Sequence, residues 1–243
     1  MPQNKQDAIT AESGNAFFMI LMAIVLFAAL AFTFSRGMQQ GGENISNRQA
    51  ELAASDIVTY AQKIERGVQS ILARGLSESD ISFDTGNDPD PYESTKCSDN
   101  PSNPDYLRCE QGKVFAASGA KLAWQAPPAK VNNGENYFFG TNQVGPVSEA
   151  ADPKSRDLVL LLPVKPRICA EINKLTARTD IWTSAGTLNS TVRFTGDYEA
   201  AAGTRIDWPD VDPKSRMAGC FCRGSSPCAS TDPHYFYHVL YAR

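Results

Sequence analysis

The stretch Ala16-Phe17-Phe18-Met19-Ile20-Leu21-Met22-Ala23-Ile24-Val25-Leu26-Phe27-Ala28-Ala29-Leu30-Ala31-Phe32-Thr33-Phe34 carries no charge, and Thr33 is its only polar residue. Eleven of its residues are Leu, Ile, Val or Phe, and neither Gly nor Pro interrupts it. As an α-helix rising about 1.5 Å per residue it would span roughly 28 Å, close to the hydrocarbon thickness of a bilayer. Its large apolar side chains favour insertion by roughly 3–7 kcal/mol in sum. A helix buried in a soluble core usually carries a polar face, which this run lacks. The sequence therefore predicts one transmembrane helix over 15–36, with the lipid bilayer as its first partner. The competing reading is a cleavable signal peptide, since Ala29-Leu30-Ala31 is a small-residue triplet of the right type. Against it, the apolar run continues through Phe32 and Phe34.

Basic residues do not orient this span, because Lys5 precedes it while Arg36 and Arg48 follow it. The cysteines do. Cys97, Cys109, Cys169, Cys220, Cys222 and Cys228 all lie beyond the span, an even number that suits an oxidising compartment. The N-terminus is expected in the cytoplasm and the rest outside, on a single-pass protein of a bacterial inner membrane whose C-terminal domain is periplasmic or extracellular. The net charge of −4, without a basic cluster, speaks against nucleic acid as a partner.

Outward from the span, residues 1–14 form a short polar leader or cytoplasmic segment. Gly37, Gly41 and Gly42 follow it closely, and glycine weakens a helix by about 1 kcal/mol per position, so 37–43 is expected to be a joint. Helical periodicity then returns over 44–76. Ala50, Ala53, Ile57, Ala61, Ile64, Val68 and Ile71 fall on one face, while Glu51, Asp56, Lys63, Glu65, Arg66 and Arg74 fall largely off it. Residues 77–243 are expected to be one strand-rich globular domain, opening with an acidic, Pro- and Asn-rich stretch over 77–110. Val114-Phe115-Ala116 and Leu122-Ala123-Trp124 flank Ser118-Gly119 as a hairpin would. Further strands are predicted at 137–139, at 158–162 with Pro163 as terminator, at 191–194 and at 235–241, and a short helix at 167–178. The fold class is α+β: a long N-terminal helix, half transmembrane and half amphipathic, packed on an antiparallel β-sheet domain with disulfides.

Cys97 and Cys109 are close enough for a local disulfide, and Cys169 is expected to join Cys220 or Cys222, with a small loop closed to Cys228. A zinc site of Cys220, Cys222, Cys228 and a histidine is the alternative, but the paired C-x₂-C spacing of common structural sites is missing. His234 and His238, the only histidines, would face one side of a strand and are read as structural residues before catalytic or metal-binding ones. The loop from Asp84 to Asp90 offers oxygen ligands yet lacks the downstream bidentate Glu of a calcium loop. Asn189-Ser190-Thr191 matches a glycosylation acceptor, of consequence only in a eukaryotic secretory setting. The acyl-transfer, phosphate-loop and zinc-protease motifs are absent, so no catalytic residue, cofactor or metal ligand is assigned.

This organisation resembles that of the type IV pilins and pseudopilins. The resemblance places the leader end at Ser13-Gly14, with Gly14 and Asn15 flanking the processing point, the apolar half over 15–34 and the amphipathic half over 44–75. It implies a non-enzymatic structural or minor subunit of a filament or secretion assembly. Its partners would be other pilin-like subunits, met through the N-terminal helix, and a prepilin peptidase. Three positions depart from the pattern: Asn15 stands where an aromatic residue or Met is usual, Lys5 is offset by Asp7 and Glu12, and Met19 occupies the fifth mature position, normally Glu. The departure at Met19 points to a minor or tip type. The second reading is a membrane-tethered periplasmic binding or sensory domain, and the third an anchored enzyme using His238 or the acidic loop.

Overall fold

The computed structural model describes residues 13–85, 106–146, 156–177, 180–199, 201, 203–208, 217–224 and 226–243; of these, the side chains of 13–17, 29–46 and 146 are left aside. One helix, α1 (Ser13–Ala73), covers the ground of the expected span, joint and amphipathic helix, and takes in Gly37, Gly41 and Gly42. The chain divides into two compact units, Met1–Gln49 and Ala50–Arg243. The second unit begins within the helix.

In the first unit the described side chains are those of 18–28 and 47–49, all exposed. Among the described residues, no helix is long and apolar enough to cross a membrane. The expected span over 15–36 runs beyond the side chains that are described.

In the second unit α1 buries Ala50, Ala54, Ile57, Tyr60, Ala61, Ile64, Val68 and Ile71. This is the stripe read from the periodicity, with Ala54 fully buried where Ala53 is half-buried, and with Tyr60 added. The helix stops where the backbone turns left-handed at Gly75 (φ +87°), whose N–H donates to Leu72 O at 2.9 Å. Ser77 and Asp80 then cap a 3₁₀ turn, Glu78–Asp80: the Ser77 hydroxyl accepts from Ser79 N–H and the Asp80 carboxylate from Ser77 N–H. A short helix, α2 (Tyr106–Gly112), follows.

The six strands are β1 (Phe138–Pro146), β2 (Asp157–Val164), β3 (Trp182–Thr183), β4 (Arg205–Trp208), β5 (Ala218–Cys222) and β6 (His234–Tyr241), ordered β3-β5-β6-β2-β1-β4. The ladders β1–β2, β2–β6 and β6–β5 are antiparallel. The outer two, β1–β4 and β3–β5, are parallel, so the sheet is mostly antiparallel and not wholly so. Helix α3 (Pro166–Leu175) starts with Pro at N1, where its missing N–H is harmless, and ends short of the expected 178.

Alternation along β2 and β6 builds two cores. Leu158, Leu160, Leu162, Phe236 and Leu240 face α1 and α3, together with Phe139, Ile168, Ile172 and Cys220. Val159, Leu161, Tyr237 and Val239 face the other way, onto Trp182, Leu188, Ile206 and Phe221. The sheet rolls around this second core and its edges meet: the Trp182 indole donates to Asp207 O at 2.7 Å, and Asp207 N–H donates to Ser184 Oγ at 3.1 Å.

Three expectations are corrected. Pro163 does not end β2 but pairs opposite Tyr235; β1 reaches β2 only as far as Leu161, so Pro163 lies where β2 has one neighbour, a place that tolerates a missing N–H. The segments around 114 and 124 form no strands. Leu122 N–H reaches Val114 O at 3.3 Å, and the chain turns at Lys121 with φ 60°, while Phe115 and Trp124 pack edge to face at 5.1 Å. Residues 191–194 are a loop held by Asn189, whose side-chain Oδ1 accepts from the N–H of Thr191 and Val192.

Candidate functional site

Two regions concentrate features that a self-contained globular protein does not need. The first is α1 before the core. Phe18, Met19, Ile20, Leu21, Met22, Ile24, Val25, Leu26 and Phe27 are 47–75% exposed. At about 100° per residue they cover the whole circumference. Gly14 and Asn15, the expected processing pair, fall in the first turn of the helix. Met19 puts no carboxylate into this surface.

The second region is the β5 end of the sheet, where the sulfurs gather. Of the two partners open to Cys169, the structure takes Cys220, which ties α3 to β5; Cys222 closes onto Cys228. Cys109 is also disulfide-bonded, and Cys97 lies outside the described residues. With these thiols in disulfides, the zinc alternative at Cys220, Cys222 and Cys228 has no thiolates to use, and among the described residues no group of metal-ligating side chains gathers. Asn173, which the sequence did not single out, completes the α3–β5 contact. Its buried amide donates to Cys220 O at 2.9 Å and accepts from Cys220 N–H at 2.8 Å, as a neighbouring strand would.

The histidines separate. His234 is buried and pairs in register with Cys222; its Nδ1 meets Asp232 O at 2.7 Å, so that nitrogen carries the proton. His238 is buried on the face toward α1, where its Nε2 lies 2.7 Å from the Glu65 carboxylate, while its Nδ1 has no partner. Glu65, off the apolar stripe, is the partner the periodicity could not reveal, because a contact across 173 residues leaves no local signal.

A cleft of about 350 Å³ opens on the flank of α1, lined by Asp56, Tyr60, Lys63, Gln125, Pro128 and Tyr137. The Tyr60 hydroxyl accepts from Gln125 N–H at 2.9 Å and donates to Ala123 O at 3.3 Å. Burial pushes the Tyr60 phenol up to about 12, against the lowering pull of the Gln125 N–H. Burial raises Tyr137 too, with the charges of Tyr60 and Asp56 adding to it. Neither phenol is poised as a base near neutral pH, and no nucleophile–base pair lines the cleft.

Of the acidic loop from Asp84 to Asp90, residues 86–90 lie outside the described residues; Asp84 is paired with Lys113 at 3.4 Å. Asn189 is buried, with its amide donating to Val192 O at 2.8 Å and to Thr141 O at 3.3 Å, so as folded it presents no acceptor nitrogen for a glycan.

Compared with known proteins, the chain matches no family model, no curated protein and no solved structure.

Proposed function

We propose that this chain is a pilin-like structural subunit, non-enzymatic and of the minor or tip type, anchored once in the inner membrane with its disulfide-bonded unit in the periplasm. The observation that carries the reading is the helical surface of residues 18–28, apolar on every side and exposed on every side. Water around nine large apolar side chains is costly, at about 25 cal/mol per Å², so this surface calls for lipid or the same helix of another copy. The amphipathic continuation of α1, with its stripe on the sheet, supports the reading further. So does the fully apolar run over 16–34, which is long enough for a bilayer. Gly37, Gly41 and Gly42 lie within α1 between its apolar and amphipathic halves, and Met19 in place of a carboxylate fits a subunit that others do not follow.

Mass measurement of the chain isolated from its native membrane tests the processing. A start at Asn15 is expected; an intact Met1 or a start at Phe32 overturns maturation after Gly14. A second reading, a monomeric membrane-tethered binding or sensory domain, draws on the cleft beside Tyr60 and Tyr137. Cysteine crosslinking at position 27 in membranes separates the two, because a monomeric tether gives no specific helix–helix product.

A further inference from the structure

The two disulfides that share β5 sit in opposite surroundings. Cys169 and Cys220 are both fully buried, and Cys169–Cys220 lies within the helix-facing core. In the other bond Cys222 is fully buried, whereas Cys228 is partly exposed, between exposed Pro227 and Ala229. Cys222 also has polar neighbours on both sides. Thr183 pairs with it across β3 and His234 across β6, so Thr183, Cys222 and His234 form one row over three strands. Paired residues share a face and stand about 5 Å apart. The Thr183 hydroxyl lies 3.3 Å from Cys228 Sγ and 3.7 Å from Cys222 Sγ.

From this row we infer that Cys222–Cys228 is a thiol-exchange site, whereas Cys169–Cys220 is structural. A thiolate attacks at Cys228 Sγ, on the partly exposed cysteine of the bond. As the new S–S bond forms, the Cys222–Cys228 bond breaks and its electron pair goes to Cys222 Sγ. The leaving Cys222 thiolate takes a hydrogen bond from Thr183, and His234, its register partner across β6, lowers the cost of the charge when both ring nitrogens are protonated. A second thiol then attacks the mixed disulfide and frees Cys228. Two incoming thiols are oxidised to one disulfide, the protein disulfide is reduced to two thiols, and the protons end on the cysteines. Opening this bond releases only the short loop after β5, since the Asn173 and Cys169 ties to β5 remain in place.

The full chain in detergent is treated with graded reduced glutathione and quenched with iodoacetamide, and each cysteine is mapped by peptide mass while far-ultraviolet circular dichroism is followed. Cys228 is expected to carry glutathione and Cys222 the alkyl group, with Cys169–Cys220 still joined and the dichroism unchanged. Modification of Cys169 or Cys220 first or at an equal rate overturns the inference, as does modification of Cys222 and Cys228 only when the dichroism is lost. Thr183→Val and His234→Gln are each expected to slow the exchange about tenfold, and Thr183→Ser to keep it near the wild-type rate. Wild-type rates in folded Thr183→Val and His234→Gln remove the row from the mechanism.

Discussion

Asn173 does the work of a missing strand. It satisfies both backbone groups of Cys220 and also donates to Asp180 O at 3.0 Å. Asn173→Ala leaves those groups buried without partners, and urea denaturation is expected to show a loss of about 2–4 kcal/mol. At Glu65 the logic is similar: Glu65→Ala strips the buried His238 imidazole of its partner, and a loss of about 1–3 kcal/mol is expected by the same measurement. Tyr60 supplies a pH signature. Its phenol ionises near 10 when unfolded and near 12 when folded, so between these values the unfolded state binds fewer protons. Stability contributed by the neutral phenol is complete below pH 10 and is lost as pH rises toward 12, at up to about 1.4 kcal/mol per pH unit. Chemical denaturation from pH 9 to 12 should show this decline, to which the raised Tyr137 and Tyr198 phenols also contribute, and Tyr60→Phe should make it shallower while costing about 1 kcal/mol at neutral pH.

At the scale of elements, the disulfides differ in reach as well as in exposure. Cys169–Cys220 spans 51 residues and Cys222–Cys228 spans 6. By the chain-entropy relation their closures constrain the unfolded chain by about 4 and about 2 kcal/mol. Replacing each pair with alanines should therefore lower the urea midpoint more for Cys169 and Cys220, by roughly twofold in free energy. Helix α1 shows a similar division within one element. From Ala50 onward its stripe is matched to the sheet, and at Gly67 the 120–122 segment comes so close that an added Cβ would lie 2.8 Å from Leu122 Cδ1. Between 18 and 28 its side chains are exposed.

For the whole molecule, both cores lie within Ala50–Arg243, so this unit holds the means of its own folding. A chain trimmed to residues 44–243 is expected to be soluble without detergent and to unfold at the same temperature as the full chain, as scanning calorimetry can check. The sequence by itself determined what depends on neighbours along the chain. It determined the apolar run of 16–34, the stripe from Ala50 to Ile71, the helix stop at Gly75, and the continuous β2 and β6 strands, because periodicity and local turn chemistry encode these directly. It also narrowed the partners of Cys169 to two. Only the tertiary structure decided between them, and only it brought Glu65 to His238, Asn173 to Cys220 and Thr183 to Cys222. The two-residue β3 and the four-residue β4 were likewise invisible in the pattern. They are strands because β5 and β1 offer them open edges, not because their own residues demand it. Pairing across a sheet is a property of which surfaces meet, and no local spacing of residues records it.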